Sequence, residues 1–149
     1  MTLKGGTRSK SAARKRESEE QMMYRRRDIL WAAGLFDGEG NTYVSRNGPY
    51  KYPRLQLRTS DKDVIDEFAR VMGTGKVTGP YTFKESRYGM KRTKMMYAWS
   101  VQGHEAVKLM ARLYPYLGQR RQQQILDTLE QMNVADRSRY KFDHFEASV

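Results

Sequence analysis

Asp37 and Glu39 are the residues best placed in this sequence to do chemistry. They close the segment Trp31-Ala-Ala-Gly-Leu-Phe-Asp-Gly-Glu-Gly40, an apolar helical run with small residues that ends in two carboxylates and a glycine stop. The C-terminal end of a helix carries partial negative charge from its unpaired carbonyls, so a carboxylate there costs roughly 0.3–1 kcal/mol. A hard divalent cation reverses that cost, because helix-end carbonyls and carboxylates together suit an oxygen-liganded ion such as Mg²⁺.

Elements must hold that helix end in place, and composition limits what they are. A chain of 149 residues is long enough for one domain with a hydrophobic core and too short for two comfortable ones. Its net charge of +11, pI near 9.9 and ten tyrosines point to a polyanionic partner, with nucleic acid foremost. No long apolar run and no separate basic amphipathic helix is present, so membranes are set aside as partners. Cysteine is absent, and only His104 and His144 offer imidazole, which excludes disulfides and a structural zinc. His104 reads as a helix-start residue. The amino terminus lacks an apolar signal core, and Glu17, Glu19 and Glu20 argue against a transit peptide; an intracellular protein is expected.

Residues 1–27 read as a basic arm, partly disordered, in which Met1 to about Gln21 carries Lys4, Arg8, Lys10 and Arg14 to Arg16 and has almost no apolar residue to bury. Such an arm adds nonspecific phosphate contacts, and a helix is possible in part from Arg14 to Arg27. The domain proper spans 28–132. Asp28 opens the motif helix, which runs to Gly38 and is apolar nearly all round, the mark of a buried helix. Gly34 and Gly38 share one face at i, i+4. Asn47-Gly48 joins two alternating runs, Asn41–Arg46 and Tyr52–Thr59, into a hairpin. A helix from Asp61 to Met72 follows, then strands at Lys76–Phe83 and Lys94–Val101, a helix from His104 to Leu117 and a last helix from Gln119 to Met132. Residues 133–149 read as a polar C-terminal tail. The order α-β-β-α-β-β-α-α defines an α+β domain.

Strand alternation separates two faces. Thr42, Val44, Leu55, Leu57, Tyr97, Trp99 and Val101 turn toward the helices. Asn41, Tyr43, Ser45, Arg54, Gln56 and Arg58 of the first hairpin turn the other way, as do Lys76, Thr78, Arg92, Lys94, Met96, Ala98 and Ser100 of the second. Arginine, asparagine and glutamine are the side chains that read guanine and adenine edges in a major groove, so this face is the candidate DNA surface. An ordinary solvated sheet face is the bland alternative.

Residues Ala32 to Gly40, A-A-G-L-F-D-G-E-G, resemble the L-A-G-L-I-D-A-D-G motif of the LAGLIDADG homing endonucleases, and the element order extends the resemblance over about Asp28 to Met132. The resemblance implies a four-stranded antiparallel, saddle-like DNA-binding sheet backed by helices. It implies that Glu39 holds a catalytic Mg²⁺ or another divalent cation, with the Gly38 carbonyl and Asp37 as companion ligands. Arg120, after Pro115-Tyr-Leu117, takes the place of a basic pocket residue, with Arg121 able to exchange roles with it. Thr59, or Ser60, stands where the family often has glutamine. The chain holds no second motif, so the resemblance implies a homodimer packed through Ala33, Gly34, Asp37 and Gly38, which cuts both strands of a long pseudo-palindromic DNA site. It also implies an intron or other mobile element as the coding context, in a bacterium, a phage-infected cell or an organelle. Two other classes remain. One is a relative without cleavage that serves as an RNA-splicing maturase or DNA-binding regulator, and the other is a basic RNA-binding or ribosomal protein, which explains the charge but not the carboxylates.

Overall fold

The computed structural model of the chain describes residues 7–87 and 90–132, with side chains other than those of 7–9, 17, 83–87 and 90–93. Four helices and four strands follow in the order α1 (Thr7–Glu39), β1 (Gly40–Asn47), β2 (Tyr50–Thr59), α2 (Lys62–Met72), β3 (Lys76–Arg87), β4 (Met90–Gln102), α3 (His104–Leu113) and α4 (Gln119–Glu130). A 3₁₀ turn, Tyr114–Tyr116, separates α3 from α4. This shortens the helix expected to reach Leu117, and Pro115, which has no N–H to donate, sits in that turn.

The antiparallel sheet has the order β1-β2-β4-β3, so each hairpin supplies one edge and one central strand. One face is dry. Leu55, Leu57, Trp99 and Val101 are buried there against Ile29, Ala32 and Phe36 of α1 and Ile65 and Phe68 of α2. Phe68 joins these layers, stacking on Phe36 with ring centroids 6.5 Å apart and meeting Trp99 edge-on at 4.9 Å. The Trp99 indole N–H donates to the Thr74 carbonyl at 3.0 Å, so its only polar atom is satisfied. Arg70 ties α2 to α1 from outside, reaching Asp28 at 3.2 Å and Glu67 at 2.6 Å.

From Thr7 to Arg27 the arm is helical, where the sequence leads one to expect a helix only in part, from Arg14 to Arg27. α1 is one helix of 33 residues, and every described side chain from Lys10 to Arg27 is exposed. Alanine, lysine, arginine, glutamate and glutamine are strong helix formers, so propensity builds this stretch where no buried face exists. Residues 1–6 of the arm and the 133–149 tail lie outside the described residues.

A register shift between Thr78 and Tyr81 re-aims β3. Thr78 pairs with Ala98 and Tyr81 with Met96, which leaves Gly79 and Pro80 facing one residue of β4. Tyr81 therefore joins the outer face, a position that strict alternation in the sequence does not give it. Among the described residues, no helix is long and apolar enough to cross a membrane.

Candidate functional site

The end of α1 is built by an exchange of caps with α4. Asp37 Oδ1 accepts the Gly118 backbone N–H at 2.9 Å, one residue before α4 begins. In return, Arg121 of α4 donates Nε–H to the Asp37 carbonyl at 2.9 Å and Nη2–H to the Gly38 carbonyl at 3.4 Å. Each helix thereby satisfies groups that the other leaves open, and the guanidinium offsets the negative end of the α1 dipole. Gly118 eases this approach, because a Cβ there would lie 3.1 Å from Asp37 Oδ2 and the carboxylate would have to shift by a few tenths of an ångström. Burial first, and then the Arg120 charge, depresses the Arg121 pKa below its ordinary value, while Asp37 and Glu39 oppose the shift. A guanidinium still remains charged.

These contacts bear on two expectations. Asp37 is half-buried and its Oδ1 caps α4, which gives it a structural role at the helix junction. Asp37→Ala is expected to cost about 1–2 kcal/mol in urea unfolding, the scale of a lost helix cap, whereas Asp37→Asn keeps an acceptor oxygen and most of the stability. Arg121, not Arg120, is the basic residue turned onto the motif helix; Arg120 is exposed and makes none of these bonds. The signal was present in the adjacent pair Arg120-Arg121, but the pitch of α4 decides which of them points inward.

Glu39, unlike Asp37, is free of the capping exchange. It is exposed and borders a cleft of about 360 Å³ with Asn41, Tyr43, Gln56 and Arg58. The next residue has no room for a side chain, because a Cβ on Gly40 would collide with the Phe36 ring. That contact fixes the turn from α1 into β1 and hence the place of the carboxylate. Thr59 does not line this cleft. Its Oγ1 accepts the Asp61 N–H at 3.3 Å in the turn before α2, so the residue expected in the pocket serves the chain reversal.

The donor set fits half of a divalent site. Glu39 supplies one carboxylate and the Gly38 carbonyl one oxygen, the latter already shared with Arg121. Among the described residues no group of three or more His, Asp or Glu side chains is placed to hold a metal ion. Mg²⁺ suits such a sparse set when substrate phosphates and waters complete its shell.

The outer sheet face carries the expected polar set in rows across the strands. Asn41, Gln56, Ser100 and Lys76 stand in one row, and Arg58, Ala98 and Thr78 in the next. Arg54 pairs with Tyr43 across β1 and donates to Ser100 Oγ at 3.2 Å, while its buried Nε–H has no partner among the described residues. A second cleft, about 420 Å³, opens beside Arg54, Lys76 and Ser100. Ser45, Lys94 and Met96 share this face. Ala98 is on it too but is only 7% exposed, so it forms a floor beneath its neighbours instead of a reading group. The Arg92 side chain lies outside the described residues.

The expected interface on α1 is also revised. Ala33 is 1% exposed and belongs to the chain's own core. Gly34 and Gly38 point the opposite way, each with open space where a Cβ would be, and Leu30 and Trp31 are exposed beside them. The sequence read the motif helix as apolar on all sides; the structure buries the Ile29, Ala32, Ala33 and Phe36 side and leaves the glycine side uncovered.

A basic four-stranded antiparallel sheet backed by helices on one face, with a carboxylate at the helix-to-strand turn, defines an α+β class of fold. Two crystal structures of the homing endonuclease I-CvuI share it. One is bound to an I-CreI target in 2 mM Mg with the DNA not cleaved, and it matches at a TM-score of 0.50 and 19% identity over 71% of this chain and 66% of that one. The other is bound to its own target in 2 mM Ca and matches at 0.50 and 20% over 72% and 67%. The chain thus spans about two thirds of the length of these neighbours, and its fold is that of the LAGLIDADG homing endonucleases. No protein-family model and no curated protein matches the sequence.

Proposed function

We propose that this protein is a sequence-specific DNA endonuclease that cuts both strands of a duplex as a homodimer with Mg²⁺ or another divalent cation. The observation that carries this reading is the exposed Glu39 carboxylate opening onto a polar cleft continuous with a basic sheet face. A divalent ion there would neutralise the scissile phosphate and lower the pKa of an attacking water. Glu39 would hold the ion, Arg58 and Arg54 would hold phosphate or base edges, and the outer face would lie along the groove. The fold shared with DNA-bound homing endonucleases supports the same reading.

The homodimer follows from the half site. One chain brings one free carboxylate to the cleft, and the uncovered Gly34 and Gly38 surface lets a second α1 approach closely. Two copies would then bring two Glu39 carboxylates to a common two-fold axis, one for each strand.

The deciding experiment offers the full chain a randomised duplex library with Mg²⁺ and sequences the cut ends, alongside sedimentation with and without DNA. Cut sites with two-fold-related halves, a dimer on DNA, and loss of cutting but not binding on chelation are expected. Enrichment of bound but uncut sites would favour a non-cleaving regulator instead. A particle that stays monomeric on DNA would overturn the shared site.

A further inference from the structure

Asn41 stands at the mouth of the Glu39 cleft with its orientation set by a chain of side chains that leads back to the motif helix. Arg121 Nη1 donates to Gln124 Oε1 at 3.0 Å, and Gln124 Nε2 donates to Asn41 Oδ1 at 2.9 Å. An amide is nearly symmetric in shape, so its partners decide which end points where. Here the relay begins at a guanidinium, which can only donate, itself pinned to the Asp37 and Gly38 carbonyls. Gln124 must therefore turn its oxygen to Arg121 and its NH₂ to Asn41. Asn41 must in turn accept, which directs its own Nδ2–H away from α4.

We propose that Asn41 is a specificity-determining residue held by the Arg121–Gln124 relay as a hydrogen-bond donor toward DNA. This rests on the endonuclease reading above. Asparagine ordinarily reads adenine with donor and acceptor side by side, but the Asn41 oxygen is engaged by α4. What remains is a donor, which matches guanine O6 and N7 and thymine O4, finds only N7 beside the amino group of adenine, and mismatches the amino group of cytosine. Each half-site favours guanine or thymine, and disfavours cytosine most, where Asn41 meets the groove.

The test reverses the relay without removing it. In Gln124→Glu the second carboxylate oxygen can only accept, so Asn41 must turn, donate Nδ2–H to it and present Oδ1 to the DNA. Asn41→Asp presents an oxygen by a different route, which keeps the test alive if either variant folds poorly. Parent and both variants are taken through binding selection from a randomised duplex library in Ca²⁺. One position per half-site is expected to change from guanine or thymine to adenine or cytosine, with relative affinities shifting roughly tenfold. Unchanged base profiles in both variants overturn the proposal. So does a uniform loss of affinity across all sequences, which marks Asn41 as a phosphate contact. If the parent enriches no sequence at all, the endonuclease reading itself fails, and this inference fails with it.

Discussion

Glu39→Gln is expected to slow Mg²⁺-dependent cleavage by at least ~10²–10³-fold, the scale on which a single preorganised electrostatic group acts, while duplex binding is retained or strengthened. The amide has nearly the same shape and still offers one oxygen, but it has lost the charge that holds a hard cation. Binding survives because affinity for DNA comes from cationic contacts to phosphates, and one fewer carboxylate in the cleft reduces repulsion. Glu39 is exposed and takes part in none of the capping bonds around it, so the substitution leaves the fold alone. Single-turnover cleavage and a gel-shift titration on the same selected duplex separate the two effects. Parental cleavage by the variant would move the active site elsewhere.

The second large effect concerns stability. Trp99 is fully buried, meets Phe68 edge-on and bonds the Thr74 carbonyl. Trp99→Ala is expected to cost about 3–5 kcal/mol, the range for emptying a large aromatic site. Since domains of this kind are stable by roughly 5–15 kcal/mol, about a fifth or more of the total is at stake, and the melting temperature falls by roughly 10 °C or more. Trp99→Phe keeps most of the packing and strands the Thr74 carbonyl, a loss of about 1–3 kcal/mol. Urea unfolding of both variants checks the order. Equal midpoints for the two would show that the hydrogen bond, and not the ring volume, holds this part of the core.

Much of the fold was legible in the chain because it was written in short-range patterns. Asn47-Gly48 between alternating runs fixed the first hairpin, and the placement of Arg54, Gln56 and Arg58 opposite Leu55 and Leu57 followed from pleating alone. What escaped depended on contacts distant in sequence or on one-residue shifts. The extra residue in β3 moved Tyr81 to the outer face. Arg121 displaced Arg120 because a helix turns about 100° per residue, so neighbours diverge. The partner of Asp37 escaped because nothing local showed that Gly118, far along the chain, would bring an N–H to it. Ala33 and Gly34 are both small, and only packing showed that one faces inward and the other outward.

The paired caps between α1 and α4 have a dynamic consequence. Helix ends ordinarily fray independently, because their last carbonyls and first N–H groups lack fixed partners. Here the final carbonyls of one helix and the first N–H of another answer to each other through Asp37 and Arg121. Neither terminus opens without releasing its counterpart, so the two behave as one cooperative unit. Glu39 sits on that unit, and its backbone inherits the combined stability of both helices instead of the mobility of a loose end.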